Sequence, residues 1–300
     1  RKSGPDLAAL RALLEKGLSP SALGDWLRCP LDFHFKRLLR LKESEEIGAR
    51  IADNVMGSAL HAMVEAVYQP LLGKPLEAAI LSEAAEQVEE LLLAQLAAAG
   101  VYAEMVRSGQ PLLQLRMASH AARRFLRNEA KAVKNGVLIT PLELELDLSH
   151  TLPLAEERTG SPVRILGRLD RVDRCDGRTR ILDLKTGKVD PAQLNVKELS
   201  LDALKGEKRY AAQLLTYALL YLTEHPELDA VEAGILPLQR AASHEPMLLK
   251  VNGETQIHRS MLPAIEEVLS DAVAEMMDPA VPVTHDPKSK YCSFCLMEES

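Results

Sequence analysis

No stretch of the 300 residues reaches the roughly 18 uninterrupted apolar positions of a membrane span, and Arg1, Lys2, Ser3, Gly4 and Pro5 contain no apolar signal core. The expected compartment is therefore the cytoplasm. The chain opens on Arg rather than Met, as a processed or trimmed chain would, and a larger parent protein is one reading of that. No G-x-x-x-x-G-K-[ST] phosphate loop occurs, which excludes an ATPase or helicase built on that loop. No internal repeat or low-complexity segment stands out. Cysteine is scarce: Cys29, Cys175, Cys292 and Cys295 are the only four, and their spacing is not that of a secreted disulfide scaffold. Positive charge is not in excess either. A net charge of -7 argues against a polyanion partner, although net charge is a weak guide where basic residues cluster.

What is present is ordinary for a folded protein: 47% hydrophobic and 26% charged residues, in a chain long enough for a substantial core. Basic residues cluster around Arg28, Lys36, Arg37, Arg40 and Lys42, again at Arg123, Arg124, Arg127, Lys131 and Lys134, and at Lys205, Lys208 and Arg209. Each cluster reads first as a solvated helix face and second as a track for DNA.

The first half reads as helical. Ser19 can cap and Pro20 can occupy the first helical position; further helices are expected after Pro30, from about Ser58 to Leu72, from Leu76 to Ala99 and from Leu112 to Lys134. The period then changes. Leu142, Leu144, Leu146 and Leu148 alternate with polar residues as in a half-buried strand. The runs Val163 to Arg174 and Thr179 to Lys185 flank Asp176-Gly177, a strong signal for a two-residue hairpin turn. A helix from Lys208 to Glu224, strands near Val231 to Leu238 and Met247 to Val251, and a helix from Gln256 to Met277 complete the pattern. Helices followed by a small sheet crossed by helices indicate a mixed α/β layered fold with a helical N-terminal elaboration.

If the turn is a simple two-residue loop, Asp170 sits directly opposite Asp183. Facing like charges with Cβ atoms roughly 4.5–5.5 Å apart are destabilising unless something compensates. A divalent cation held by one or two carboxylates does so. Lys185 lies on the same face as Asp183, with Arg168 expected opposite it, while Leu169, Leu182 and Leu184 are expected on the apolar face. A metal there polarises a phosphodiester and lowers the pKa of bound water, and the ammonium stabilises charge building on the phosphate or orients the water. An acidic residue two before a lysine also occurs at Glu129 and Lys131 and at Asp286 and Lys288, so that spacing alone carries little weight.

Its context carries more. Gly167-Arg-Leu-Asp170-Arg-Val-Asp173 followed by Ile181-Leu-Asp183-Leu-Lys185-Thr-Gly187 closely resembles the central motifs of the PD-(D/E)XK superfamily in its RecB and AddB nuclease branch. The resemblance implies that Asp170 and Asp183 bind metal, that Lys185 is catalytic, and that the backbone carbonyl of Leu184 is a metal ligand. Gly57-Ser-Ala-Leu-His61 is similar to the family's G-x-x-x-H, which makes His61 a metal ligand, with Glu65 one turn later as its expected partner. Gln213-Leu-Leu-Thr-Tyr217 matches its Q-x-x-x-Y, whose spacing puts both polar groups on one helix face, within reach of the active site or the DNA backbone.

The implied fold is restriction-endonuclease-like, a mixed central β-sheet flanked by helices. The expected organisation is one nuclease domain over 1–300, with a mainly helical part at 1–135, an α/β catalytic core at 136–252, and a C-terminal helix and cysteine-bearing tail at 253–300. The implied activity is Mg²⁺- or Mn²⁺-dependent DNA hydrolysis, as a single-strand exonuclease in end processing or recombination repair, beside an AddA-type helicase-nuclease subunit. A catalytically silent DNA-binding scaffold and a structure-selective or CRISPR adaptation endonuclease are the alternatives.

AddB-like members also carry a [4Fe–4S] cluster on one upstream and three downstream cysteines. Ser19 to Pro30 resembles the upstream element, making Cys29 a ligand, and Tyr291-Cys292-Ser-Phe-Cys295 resembles the downstream one. The family's last cysteine would fall one residue past Ser300, so the ligand set is incomplete. Three free or structural thiols, or a zinc site completed by His285 or His34, are the other readings.

Overall fold

A computed structural model describes residues 2–41, 50–160, 162–238, 245–287, 289, 292 and 295. Lys42, the end of the first basic cluster, lies outside them.

The chain opens with α1 (Gly4–Lys16), capped by a reciprocal Ser3–Asp6 box. Ser19 then caps α2 (Pro20–Arg28), and α3 (Pro30–Phe33) runs into a π-turn at His34–Leu38. Three longer helices follow: α4 (Asp53–Tyr68), α5 (Ala78–Ala98) and α6 (Gly109–Lys134). Next come β1 (Ile139–Thr151), α7 (Pro153–Thr159), β2 (Arg164–Cys175), β3 (Arg178–Lys185), β4 (Asn195–Val196), α8 (Leu201–Leu204) and α9 (Arg209–Glu224). The chain continues through β5 (Ala230–Pro237), β6 (Met247–Leu248), β7 (Lys250–Val251), β8 (Gln256–His258) and α10 (Leu262–Met277).

The sheet order is β1-β2-β3-β5-β6, with β8 also on β5. The β3–β5 pair is parallel, as a helical crossover requires, and its other pairs are antiparallel, so the sheet is mixed. The expected strand over Met247 to Val251 is two short pieces: β6 pairs with β5, and β7 pairs with β4 in a separate ribbon. Likewise the expected helix from Gln256 begins only at Leu262, because Gln256–His258 adds to the sheet edge.

Alternation along the strands assigns each sheet face its own core. Ile181, Val231, Ala233 and Ile235 pack with α2, α9 and α10, while Leu182, Leu184, Leu236 and Leu238 pack with α4, α5 and α6. In β1 and β2 this alternation breaks. The register passes from Leu144↔Arg171 to Leu146↔Leu169, which leaves Glu145 opposite Asp170, and Glu145 has φ 47°. A left-handed residue inside a strand turns its neighbours over. Leu144 therefore belongs to the α4–α6 side, whereas Leu146 and Leu148 join the α9 side. Leu169 packs there too, not with Leu182 and Leu184 as expected from uniform alternation.

Candidate active site

Asp176 (φ 48°) and Gly177 (φ 84°) make the expected two-residue turn, and β2 pairs with β3 from Cys175↔Arg178 to Arg171↔Leu182. There the ladder stops. Asp170 and Asp183 occupy the next opposed positions, where β2 stays with β1 and β3 stays with β5. The strands part at the step that carries the two carboxylates, and side chains fill the opening. Asp170 Oδ2 accepts the backbone N–H of Leu184 at 2.6 Å. In an extended strand the N–H and C=O of one residue point to the same side, so the Leu184 carbonyl faces the same strand edge.

Asp183 is 2% exposed, with Oδ1 accepting from Gln213 Nε2 at 2.8 Å. Its Oδ2 forms a close ion pair with Lys185 Nζ at 2.8 Å. The ammonium also stands 5.6 Å from the centre of the Tyr210 ring. His61 approaches from α4, its Nδ1 3.6 Å from Asp170 and 4.0 Å from Glu145. Among the described residues no ion pair or hydrogen bond joins it to Glu65, so the expected partner is replaced by these two carboxylates. Arg168 is also elsewhere than expected. It donates to Glu145 at 2.7 Å, pairing across β1 instead of facing Lys185, because β2 has left β3 by that point.

Glu145 is the member that sequence reasoning missed. It sits within an unbroken alternation of leucines and acids, and nothing in that pattern marks one acid as special. Its positive φ is strain of the kind that persists where surrounding structure enforces it. Here it brings a second carboxylate into a group with His61 and Asp170 whose ligand atoms lie within 4.8 Å of one another.

The electrostatics show an excess of buried negative charge. Burial, with Asp170 nearby, raises the Asp183 carboxyl to about 6 despite the opposing Lys185 ammonium. Burial disfavours the charged Lys185, yet Asp183 and Asp170 outweigh it and raise its pKa. Burial likewise opposes the imidazolium of His61, but Asp170, Asp183 and Glu145 together raise it. Two carboxylates and an imidazole with converging ligand atoms, next to the buried Asp183, are a donor set suited to a divalent cation. His61, Glu145 and Asp170 are the side chains whose ligand atoms converge closely enough to hold one.

The α9 residues support these acids. Gln213 Nε2 donates to both Asp183 and Tyr217 Oη, at 2.8 and 2.7 Å, so its amide braces the carboxylate from behind. Tyr217 is only 5% exposed, and burial pushes its phenol well above the usual range. Gly167 explains why α9 comes so near: a Cβ there would lie 2.4 Å from Leu220 and 3.2 Å from Tyr217.

A second ligand cluster lies apart. Cys29, His285, Cys292 and Cys295 bring their ligand atoms within 4.8 Å of one another. Cys29 Sγ is 3.7 Å from Cys295 Sγ and 3.5 Å from His285 Nδ1. Three thiols and an imidazole can hold a metal, but a [4Fe–4S] cluster takes four cysteines and the described residues supply three. His285 joins the group; His34 instead faces Asp6 at 3.8 Å, and Cys175 stays beside the hairpin turn. The cluster links the α2–α3 junction to the C-terminal segment.

The first basic cluster is largely committed to ion pairs, Arg28 and Lys36 with Asp32 and Arg37 with Asp25. In the third, Lys205 pairs with Glu275 and Lys208 donates to backbone carbonyls.

Opposed acids where a hairpin splays, a lysine two residues on and a helix-borne imidazole, all on a helix-covered mixed sheet, define a nuclease-type site. Comparison with protein families agrees: residues 17–299 match the PD-(D/E)XK nuclease superfamily, and the chain belongs to it. Members are typically nucleases that use divalent metals. A search of curated proteins finds no match. Among the described residues no helix is long and apolar enough to cross a membrane.

Proposed function

We propose that the protein is a Mg²⁺- or Mn²⁺-dependent deoxyribonuclease of the AddB type, degrading single-stranded DNA from an end during end processing or recombination repair. The observation that carries the reading is the unbalanced acid cluster at the splayed hairpin, with Lys185 beside it. Asp170, Asp183, His61 and the Leu184 carbonyl would hold the metal, with Glu145 as an added ligand. When bound, the ion supplies Lewis-acid polarisation of the phosphodiester and a more acidic water. Lys185 places a positive charge at the edge of the cluster, where it stabilises charge developing on a phosphate oxygen. Gln213 and Tyr217 keep Asp183 in one orientation and exclude water behind it.

The pathway and an AddA-type helicase-nuclease partner rest on motif resemblance. On the same reading Cys29, Cys292 and Cys295 are ligands of a structural metal centre, to which the geometry adds His285.

The test is cleavage of end-labelled linear single-stranded DNA with Mg²⁺, Mn²⁺ or EDTA, beside Asp183→Ala. Metal-dependent shortening that the variant lacks supports the proposal, and the labelled end reports polarity. A folded wild type that cuts in no metal contradicts it. Circular single-stranded DNA left intact supports exonuclease action; a cut circle makes the protein an endonuclease.

A further inference from the structure

We infer that the groove between α4 and α6 is the track along which a single-stranded nucleic acid lies beside the acid cluster, an inference that rests on the nuclease reading and deepens it. The groove has a volume of about 630 Å³ and is lined by chain neighbours of His61 and Lys185. Thr186 and Gly187, which line it, directly follow Lys185; Met56, Gly57 and Leu60, which also line it, lie on α4 in the five residues before His61. The two elements nearly touch, since a Cβ on Gly57 would lie 3.6 Å from Thr186 Oγ1. At α6, Gln114 fixes the start of the α4 segment by exchanging hydrogen bonds with the Ile51 backbone at 2.8 and 2.9 Å.

The wall formed by α6 is basic and apolar together. This helix contains Arg116, Arg123, Arg124, Arg127, Lys131 and Lys134 against Glu129 as its one acid, in a chain whose net charge is -7. Its neighbour α5 is the reverse, with Glu83, Glu86, Glu89 and Glu90 and no Lys or Arg. Part of the α6 charge faces that partner: Arg127 pairs with Glu86, and Arg123 donates to the Ala85 carbonyl. Arg116, His120 and Arg124 instead line the groove, at i, i+4 and i+8 on one helical stripe, about 6 Å apart along the axis. Beside them Met117 is 62% exposed, and Leu60, Ala121 and Leu238 form an apolar floor.

Two arginines flanking an imidazole above apolar surface suit a chain of phosphates whose bases are free to lie on that surface. A duplex turns its base faces inward and would use only the cations. The ligand class is therefore an unpaired strand, with its scissile phosphate delivered past Thr186 to Lys185.

The test is fluorescence anisotropy of a labelled single-stranded 20-mer and of a hairpin duplex, with EDTA present, on the full chain and on Arg116→Glu and Met117→Ala. Arg116→Glu is expected to raise Kd for the single strand about tenfold and to flatten the salt dependence by about one phosphate contact. Met117→Ala should raise Kd about threefold to fivefold with the salt slope unchanged. Circular dichroism and Mn²⁺ affinity, unchanged in both variants, would show that fold and metal site are intact. Wild-type Kd and salt slope in both variants would overturn the inference, as would a duplex bound as tightly as the single strand and weakened equally by Arg116→Glu. The nuclease reading fails separately, through absence of cleavage by wild type.

Discussion

Asp173 and Asp183 lie on adjoining strands and are both withdrawn from solvent, at 0% and 2% exposure, yet their surroundings are opposite in balance. Asp173 is enclosed by two guanidiniums: Arg171 donates to it at 2.7 Å and Arg180 at 2.8 and 2.9 Å. Arg171 is itself fully buried, pairs with Glu129 at 3.0 Å and stacks 4.4 Å from the centre of the Tyr68 ring. Tyr68 in turn donates to Glu129. Burial disfavours the Arg171 charge, but Glu129 and Asp173 more than offset it and raise its pKa. In this network every acid has a matching base. At Asp183, by contrast, Lys185 and the largely exposed Arg168 serve three carboxylates, Asp183, Asp170 and Glu145, with the His61 imidazole between the last two. Burial alone therefore does not distinguish the two acids; on the proposed reading, charge balance does. The balanced network ties α4 and α6 to β2 directly beside Asp170, so it also holds the unbalanced one in place.

Breaking the balanced network should have the largest effect. Arg171→Met leaves Glu129 and Asp173 underpaired in the core and is expected to cost about 3–5 kcal/mol in denaturant unfolding. A loss below about 1 kcal/mol would mean that the network contributes little. Breaking the unbalanced site should act on turnover instead. Lys185→Ala is expected to lower cleavage roughly 10²- to 10³-fold with the circular dichroism spectrum retained, and retained turnover would remove Lys185 from the mechanism. Gln213→Leu removes the brace on Asp183, and a decrease of about 10- to 100-fold in metal affinity or rate is expected. An unchanged metal dependence would make Gln213 a packing residue only.

The site around Asp183 should also respond to pH. Asp183, raised to about 6, and His61, also raised, both bind protons more readily in the folded protein than in the unfolded chain. Stability from this site is therefore present at low pH and lost as pH rises from about 4 through 6 and beyond. The unfolding free energies of metal-free wild type and Asp183→Asn, compared across this range, should shift in favour of the variant with rising pH. Metal binding needs the deprotonated groups, so apparent Mg²⁺ or Mn²⁺ affinity should fall as pH drops below about 6. A pH-independent difference between the two proteins would contradict the assignment.

Much of the unbalanced site was legible in the sequence because its cues are local. Asp176-Gly177 fixed the turn and hence the opposition of Asp170 to Asp183; the i, i+4 spacing of Gln213 and Tyr217 put both on one helix face. The rest depended on contacts distant in sequence. Uniform alternation in Leu142 to Leu148 gives no sign that Glu145 adopts positive φ, so the transfer of Leu169 to the other core and the role of Glu145 were hidden. The helix α1 was unread, although Ser3 and Asp6 form a capping pair. The basic run from Arg28 to Arg40 resembles a polyanion track until Asp25 and Asp32 are seen to pair with three of its members.

The most direct test of the contrast is calorimetric titration of Mn²⁺ at pH 7.5 into wild type, Asp183→Ala and Arg180→Lys. Wild type and Arg180→Lys should bind with similar affinity, because the balanced network holds no metal, while Asp183→Ala should lose binding at this site. Equal Mn²⁺ binding by wild type and Asp183→Ala would contradict the account.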